Sequence, residues 1–412
     1  MAIKIGIYNL HMQTRGGGEK STLALAEHLS RSHRVWYYVN EPPDLTTLER
    51  YFDVDLSRVS FVILDKDHQS LPGGRWSALA AQLAHFRQIK AAKLDVFINN
   101  SYGSSLPCPT TRGVYMCMFP HELPVPVRAN GFPRRIYRPC MDWVEKHLLG
   151  CRATDFIDSY SAVTANSNFT ARWVRKMWDR HSEVIYSACD NMGPPANKEK
   201  IILNVGRFDR GSAGALCKRQ DILVDVFNQL TDFQKDGWQL HLAGSVAKGS
   251  ESLTHVVRLK EAAKGRPVFF HFDADFSKLR DLYRHASIYW HATGYGFEAS
   301  EHPTLQEHFG ITTVEAMSAG AVPVVINSGG QREIVTHAAD GFLWNKPSTL
   351  AAQTAQLIGD PHLLKRLSRQ AILSSAKFSR ANFNTSIDLI IDQLMCDDYL
   401  SDEILFRHSN HS

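Results

Sequence analysis

The sequence contains few cysteines, and their spacing argues against a disulfide framework or a zinc site. Their number, seven, is odd, and no two of them form a C-x-x-C pair. Thiols in a reducing compartment are the simplest interpretation of this pattern. The cysteines occupy positions 108, 117, 140, 151, 189, 217 and 396.

Long apolar runs are also absent from the sequence. No uninterrupted run approaches the roughly 20 residues that a membrane span requires. Lys4, His11 and Arg15 interrupt the start of the chain, where a secretory signal would need an apolar core. We therefore expect a cytoplasmic protein, with peripheral contact on the cytoplasmic face of a membrane left open.

The excess of positive charge is small. A net charge of +4 and a pI near 8.6 suit anionic substrates or a membrane surface but require neither. Nothing resembles a base-reading module, so we expect no nucleic-acid partner. Two segments, 128–152 and 172–180, combine basic residues with tryptophan, a composition that suits peripheral membrane contact or an anionic acceptor. Solvated helix faces with snorkelling side chains are the alternative.

The length of the chain favours two domains. At 412 residues the chain is too long for one hydrophobic core. The stretch 190–197 is polar and proline-rich and has neither helical nor strand periodicity, so we place the linker between the domains there.

One stretch, residues 307–335, predicts half of a doubly wound α/β layer. A polar turn ends at Gly310, and a short helix over 311–319 follows, with a stop at Gly320. An apolar strand over 321–326 leads through a second glycine-containing loop to a helix over about 331–337. Both loops can direct backbone N–H groups and helix N-termini toward an anion.

Two carboxylates flank the first of these loops. Glu307 lies in the turn, and Glu315 lies eight residues later in the helix. Free carboxylates on either side of backbone donors suit a ligand with hydroxyls at both ends and phosphates between them. A nucleotide-sugar has this arrangement.

Two further strand-end loops predict phosphate contacts. The strand over 3–8 leads into Gly16-Gly17-Gly18-Glu19 and then a helix from about Ser21, as in the opening of a Rossmann-like unit. The loop does not match the P-loop pattern, because Glu19 separates Gly18 from Lys20, and a simple βα turn remains an alternative. In the second half, the strand over 200–205 ends at Gly206-Arg207, and Lys218-Arg219 opens the following helix.

The string E-x7-E, followed by A-M-S-A-G-x-x-P-V-V, resembles the donor-site signature of retaining GT-B glycosyltransferases of family 4. EHFGI resembles the mannosyltransferases among them. The resemblance implies an α/β GT-B fold, in which two Rossmann-like domains face each other across a cleft. We predict an acceptor-binding domain over 1–190, a nucleotide-sugar-binding domain over 191–378, and a helix over 379–412 that returns to the first domain and ends in a polar tail.

The resemblance also implies roles for individual residues. Glu307 would orient the donor sugar, Glu315 the ribose, and Arg207 and Lys218 the diphosphate, while His121 would contact the sugar or the migrating proton. The insertion over 212–215 leaves Lys218 and Arg219 as alternatives. The other residues expected to bind the donor are Gly17, Gly18, Gly244, Ser245, Phe272, Phe309, Gly310, Ile311 and Thr312.

The implied reaction transfers a hexose, with retention, from a nucleotide-diphosphate sugar to a hydroxyl of a glycan or lipid-linked acceptor and forms an α-linkage. GDP-mannose is the first candidate donor and a UDP-sugar the second. No D-x-D run is placed to hold a metal at the donor phosphates, so we expect neither a metal nor another cofactor. A phosphorylase, a non-hydrolysing epimerase and a catalytically silent nucleotide-sugar-binding subunit of a glycan-assembly complex are the alternatives.

Overall fold

The chain folds into two α/β domains, each built on one parallel sheet. The structure, a computed structural model, describes residues 2–10, 12, 16–64, 75–123, 134–209, 218–246 and 249–396, without the side chains of 75–78, 134–141 and 250. The described residues confirm the predicted pair of Rossmann-like domains. The predicted linker stretch, 190–197, falls between the last strand of the first sheet and the first strand of the second. The polar tail after 396 and the insertion over 212–215 lie outside the described residues.

The first domain contains a seven-stranded sheet in the order β3-β2-β1-β4-β5-β6-β7, and every pairing is parallel. Parallel neighbours need crossover connections, and every connection but that from β4 to β5, over 100–112, contains a helix. The strands are β1 Lys4–Tyr8, β2 Arg34–Val39, β3 Val59–Ile63, β4 Val96–Asn99, β5 Gly113–Cys117, β6 Ala162–Ala165 and β7 Glu183–Val184. The helices are α1 Gly17–Ser30, α2 Leu45–Phe52, α3 Arg75–Ala91, α4 Arg134–Leu149 and α5 Asn168–Trp178.

The second domain contains a six-stranded parallel sheet in the order β10-β9-β8-β11-β12-β13. Its strands are β8 Glu199–Val205, β9 Gln239–Gly244, β10 Val268–Phe272, β11 Ala286–His291, β12 Val322–Ile326 and β13 Phe342–Trp344. Its helices are α6 Gln220–Gln229, α7 Thr231–Lys235, α8 Ser250–Ala262, α9 Phe276–His285, α10 Ile311–Ser318, α11 Gln331–Ile334, α12 Pro347–Gly359 and α13 Pro361–Ser375.

The central strands of the second sheet are buried on both faces. Every residue of β11 and β12 is buried, because helices cover both sides of the sheet. The helix predicted over 331–337 is shorter than expected and ends at Ile334. The backbone becomes extended at Val335, and His337 forms a β-bridge with Gly341.

The last helix, α14 (Arg380–Met395), packs on the first domain rather than the second. Its apolar face joins the cluster that contains Ile5 and Val96, two core residues of the first sheet. The residues that α14 contributes to this cluster are Phe383, Ile387, Ile390, Ile391 and Leu394. None of the helices in the described part of the chain is both long and apolar enough to cross a bilayer.

The chain crosses between the domains twice, and the two crossings lie side by side. Cys189 and Ser379 form a parallel β-bridge. The N–H of Cys189 donates to the carbonyl oxygen of Phe378 at 3.2 Å, and the N–H of Arg380 donates to the carbonyl oxygen of Cys189 at 3.2 Å. The linker and the start of α14 therefore form one hydrogen-bonded connection.

The packing of α14 predicts a large loss of stability from a change on its buried face. Ile391 is 3% exposed, and replacing a buried isoleucine with alanine typically costs about 2–5 kcal/mol. The matched control is Leu389→Ala on the same helix, where 57% exposure limits the expected change to about 0.5 kcal/mol. Urea unfolding followed by circular dichroism measures both. Equal midpoints for Ile391→Ala and Leu389→Ala would contradict the packing of α14.

Candidate functional site

The Glu307 carboxylate is the centre of a cluster of polar side chains from three loops. Lys218 lies just before α6, and its Nζ is 2.6 Å from Glu307 Oε2. His291 lies at the end of β11, and its Nε2 is 3.1 Å from the same oxygen. Thr293 Oγ1 lies 3.1 Å from His291 Nε2. Burial by itself would raise the pKa of Glu307, but Lys218 and His291 hold that pKa well below its usual value. Glu307 is therefore an ionised acceptor at neutral pH.

The N-terminus of α10 lies next to this cluster. Gly310 caps the helix with a φ of +123°, a conformation that glycine adopts readily, and no side chain caps the first turn. The first backbone N–H groups of a helix without such a cap favour an anion. Gly310 also makes room for Gln331 of α11, because a Cβ at Gly310 would clash with the Gln331 amide.

The N-terminus of α1 meets that of α10 across the cleft. A Cβ placed on Gly17 would lie 3.0 Å from Ile311 Cδ1, so the two helix starts are in van der Waals contact. The Glu19 carboxylate accepts a hydrogen bond from the N–H of Gly16 at 2.8 Å and orders the turn. The structure therefore brings Gly17, from the first domain, and Ile311, from the second, to one place.

Glu315 is paired, contrary to the expectation of a free carboxylate. Its Oε1 accepts from the ammonium of Lys20 on α1, and its Oε2 accepts from the hydroxyl of Tyr283 on α9 at 2.9 Å. The Lys20 ammonium also lies 2.5 Å from Asp190 Oδ2. Burial disfavours the charge of Lys20, but Glu315 and Asp190 outweigh it and raise its pKa. Glu307 is likewise paired, so neither carboxylate of the E-x7-E string is free.

The structure separates the roles of the two cations that begin α6. Arg219 pairs with Asp221 and donates to the carbonyl oxygen of Tyr295 at 2.5 Å, whereas Lys218 contacts Glu307. Lys218 is therefore the cation that reaches the site. Arg207 is 40% exposed in its side chain and lies 3.5 Å from Asp209.

The ends of β8 and β9 lie close to Lys218. A Cβ on Gly206 would be 3.1 Å from Lys218 Cγ, and a Cβ on Gly244 would clash with the carbonyl of Gly206. The carbonyl of Ser245 accepts from the N–H of Phe208 at 2.8 Å, and the ring of Phe272 packs against Phe208 at 5.1 Å. These contacts bring the strand ends together at one edge of the sheet.

His121 makes its observed side-chain contacts inside the first domain. Its Nε2 lies 2.8 Å from Ser105 Oγ, and its ring packs on Phe156 and Trp178. Burial lowers the pKa of His121, so the imidazole is neutral at neutral pH. The role predicted for His121 at the donor sugar stays a prediction.

His308, which the sequence analysis did not select, joins the two domains. Its ring stacks on Phe119 of the first domain with centroids 4.2 Å apart, and its carbonyl accepts from Ser167 Oγ at 2.6 Å. Burial lowers the pKa of His308 to about 4, so the ring stays neutral within this stack.

A second contact between the domains caps α5. The Glu333 carboxylate of α11 accepts from the backbone N–H groups of Asn168 and Phe169 at 2.8 and 2.7 Å. A carboxylate at a helix N-terminus satisfies unpaired N–H groups and interacts favourably with the helix dipole. The cleft is therefore bounded by polar and aromatic contacts that hold α5 against the loop containing Glu307.

The predicted residues Gly18, Phe309 and Thr312 also lie at this junction. A Cβ on Gly18 would clash with Met118 of the first domain. Phe309 stacks on Tyr186, and Thr312 Oγ1 accepts from the hydroxyl of Tyr289 at 2.7 Å. Within the described residues, no group of three or more His, Cys, Asp or Glu side chains could hold a metal ion.

Two family profiles match the chain, one on each domain. Residues 15–191 match the profile described as Glycosyltransferase Family 4, and residues 191–373 match the profile described as Glycosyl transferases group 1. Together they cover the α1 loop, Lys218, Glu307 and Glu315. This chain belongs to the family 4 glycosyltransferases of GT-B fold. The recognition and the fold class predicted from the sequence are confirmed, and the protein is a glycosyltransferase that depends on a nucleotide-sugar.

Curated relatives of this glycosyltransferase include mannosyltransferases. The alpha-1,3/1,6-mannosyltransferase ALG2 of Mus musculus is 24% identical over 351 residues, which cover 78% of this chain and 79% of that protein. The GDP-Man:Man(3)GlcNAc(2)-PP-Dol alpha-1,2-mannosyltransferase of Yarrowia lipolytica is 29% identical over 220 residues, or 48% of this chain. The match spans about a third, 32%, of the Yarrowia protein's length.

A solved structure supports the fold over nearly the whole glycosyltransferase. Anabaena HepE in complex with UDP and glucose superposes with a TM-score of 0.66 at 18% identity and covers 95% of this chain and 99% of that one. At this identity the likeness concerns the fold alone.

Proposed function

We propose that this glycosyltransferase transfers mannose from GDP-mannose to a hydroxyl of a lipid-linked glycan, with retention of configuration and without a metal ion. The main support is the Glu307 cluster. An ionised carboxylate, fixed by Lys218 and His291, lies beside a helix N-terminus that no side chain caps. A sugar diphosphate offers hydroxyls to the carboxylate and an anion to the helix.

The choice of donor and acceptor rests on relatives. The Yarrowia protein is named for GDP-mannose and a dolichol-diphosphate glycan, and the mouse protein for mannose transfer. UDP and glucose are bound by the Anabaena structure, whose likeness extends to the fold only. GDP-mannose is therefore the first candidate donor and a UDP-sugar the second.

The departing diphosphate would be stabilised by fixed donors. Lys218 has three ammonium protons, so it can keep Glu307 and still bind a phosphate oxygen. Arg207 is half-exposed at the neighbouring strand end and can turn toward the same anion. The backbone N–H groups of Gly17, Gly18, Phe309 and Gly310 would add donors around the diphosphate. Preorganised donors of this kind typically contribute several kcal/mol of transition-state stabilisation.

Same-face transfer is the mechanism that we infer for this site. Lys218 and His291 contact the carboxylate of Glu307, which would accept hydrogen bonds from sugar hydroxyls. Lys20 and Tyr283 contact the carboxylate of Glu315. With these partners, we expect neither carboxylate to act as the nucleophile that would form a covalent intermediate. The acceptor hydroxyl would then attack from the face that the diphosphate leaves, and its proton would pass to the departing phosphate oxygen. His121 would contact the sugar from the first domain.

A donor screen tests the proposed function. GDP and UDP should be compared by thermal shift with and without EDTA, because a ligand at about 100 times its Kd stabilises a fold by about 2.7 kcal/mol. We expect the larger shift from GDP, unchanged by EDTA. Transfer of radiolabelled mannose from GDP-mannose to a dolichol-diphosphate glycan should follow, with an α-anomeric product by NMR. A nucleotide shift without transfer to any acceptor would instead indicate a silent binding subunit.

Lys218→Ala tests the diphosphate role. Removal of the cation should lower kcat by about 10²-fold or more, because one preorganised donor at the developing charge is lost. Binding of the acceptor should change much less. The matched control is Lys200→Ala in the same domain, whose exposed ammonium pairs with Asp236 at the surface and should leave the rate unchanged. Near wild-type turnover in Lys218→Ala would show that the diphosphate assignment is wrong.

Peripheral membrane contact through the first domain is the last part of the proposal. On α4, Trp143 is 61% exposed and stacks on His147, and Leu148 beside it is 41% exposed. On α5, Lys176 lies over the ring of Trp173 at 4.2 Å. Exposed aromatic groups beside cations suit the interface of an anionic bilayer. Residues 128–133 of the first basic segment, and the side chains of 134–141, lie outside the described residues.

Vesicle flotation tests this contact. The protein should float with vesicles that contain anionic phospholipid, less at high salt, and less again as Trp143→Ala. Leu373→Ala is a matched control, because Leu373 is a 68% exposed residue of the second domain and should not change flotation. Absence of binding to anionic vesicles would contradict the membrane contact.

A further inference from the structure

Lys20 extends from the first domain into a pocket formed by the linker and the second domain. It is the fourth residue of α1, and only 11% of its side chain is exposed. Its ammonium pairs with Glu315 on α10 and with Asp190 in the linker, and lies 5.5 Å from the centre of the Phe276 ring on α9. All three of these neighbours lie outside the first sheet and its helices.

In the surroundings of Glu315, the ionisation of its carboxylate depends on the charge of Lys20. Glu315 is buried and 4% exposed, and Asp190 adds a like charge close by. An ionised carboxylate that loses its cation in such a place usually binds a proton. Of its partners, Lys20 is the cation and Tyr283 supplies one neutral hydroxyl.

Three other titratable groups of the described residues lie near Glu315, and they are neutral at neutral pH. Burial raises the pKa values of Tyr283, Tyr289 and Cys189, so all three stay protonated. The charge state of Glu315 is therefore set by Lys20 and Asp190. Arg380 at the start of α14 acts on Asp190, with which it pairs, and on Glu27 at 3.0 Å.

We propose that Lys20 is a positioning residue for the nucleotide. Its ammonium keeps the buried Glu315 carboxylate ionised and in a fixed orientation, so that its unused lone pairs can accept the two ribose hydroxyls. The donor site of the second domain would then be complete only with a residue of the first. This inference rests on the proposed function, in which Glu315 binds the ribose.

The direction of the pH dependence of nucleotide binding follows from the charges around Glu315. Burial already raises the pKa of Glu315, and Lys20 opposes that rise. Without Lys20 the pKa of Glu315 rises further, since Asp190 remains beside it. In the variant, the carboxylate therefore becomes protonated at a higher pH. Nucleotide affinity should therefore fall at a higher pH in the variant than in the wild type as the solution is acidified.

The experiment is calorimetric titration of GDP and UDP into the full chain between pH 6 and 9. Lys20→Met should weaken binding by about tenfold at pH 6.5, as expected for loss of a charge-assisted hydrogen bond. Its affinity should recover toward that of the wild type as the pH rises. Lys20→Arg keeps the charge and should place the pH midpoint close to that of the wild type.

Two further variants separate positioning from general damage to the connection between the domains. Arg380→Met removes the other cation on Asp190 without touching Glu315, so it should lower Tm but shift the pH midpoint of binding much less than Lys20→Met does. In a Glu315→Gln background, Lys20→Met should have no additional effect on affinity. The double variant removes both partners of the ion pair, so neither leaves the other unpaired. It can therefore be measured even if Lys20→Met alone folds poorly.

The outcomes distinguish the two levels of inference. If the wild type binds neither GDP nor UDP, the proposed function fails, and the role of Lys20 fails with it. If the wild type binds a nucleotide and Lys20→Met binds it equally well at every pH, the positioning role alone is wrong. The same conclusion follows if the effect of Lys20→Met persists in full beside Glu315→Gln.

Discussion

Two carboxylates of the cleft, Glu315 buried and Glu307 partly buried, are each held in the charged form by a cation, and much of the cleft follows from that requirement. Removing an ionised carboxylate from water costs several kcal/mol unless a partner compensates for it. Glu307 obtains its partner from within the second domain, in Lys218, whereas Glu315 obtains Lys20 from the first. The two acids of one short motif therefore play different structural parts. One organises a loop cluster, and the other joins the domains.

The contacts around this pair keep the domains in one relative orientation. Ser167 and Phe119 contact His308, and Glu333 caps α5 at the residues that follow Ser167. Each contact joins a backbone group or an aromatic face to a side chain with few alternative positions. A small rotation of either domain would break several of these contacts together. The relative orientation of the domains therefore depends on these contacts as a group.

The parts of the site that are contiguous in sequence could be predicted from the sequence. The turn at Glu307, the start of α10 and the glycine loop before α1 have local signals in glycine, capping and apolar periodicity. The partners of the carboxylates could not be predicted in this way. Lys20 and Glu315 are 295 positions apart, and nothing local to either shows that they meet.

His291 shows what a more systematic use of topology could have found. It ends a fully buried strand, β11, and side chains at the carboxyl ends of parallel strands meet at the same edge of the sheet. His121 illustrates the opposite case. It follows β5 by a few residues, but its packing against Phe156 and Trp178 depends on side chains that are distant in the sequence.

The return of α14 to the first domain has a consequence for synthesis on the ribosome. The core around Ile5 and Val96 is formed by the start of the chain, yet Ile387, Ile390 and Ile391 complete it from the end. The sheet of the second domain, by contrast, is drawn from one continuous stretch of about a third of the chain. The core of the second domain comes from the continuous stretch 189–378, so it can close before α14 emerges, whereas the first domain keeps an uncovered apolar face until α14 has left the exit tunnel.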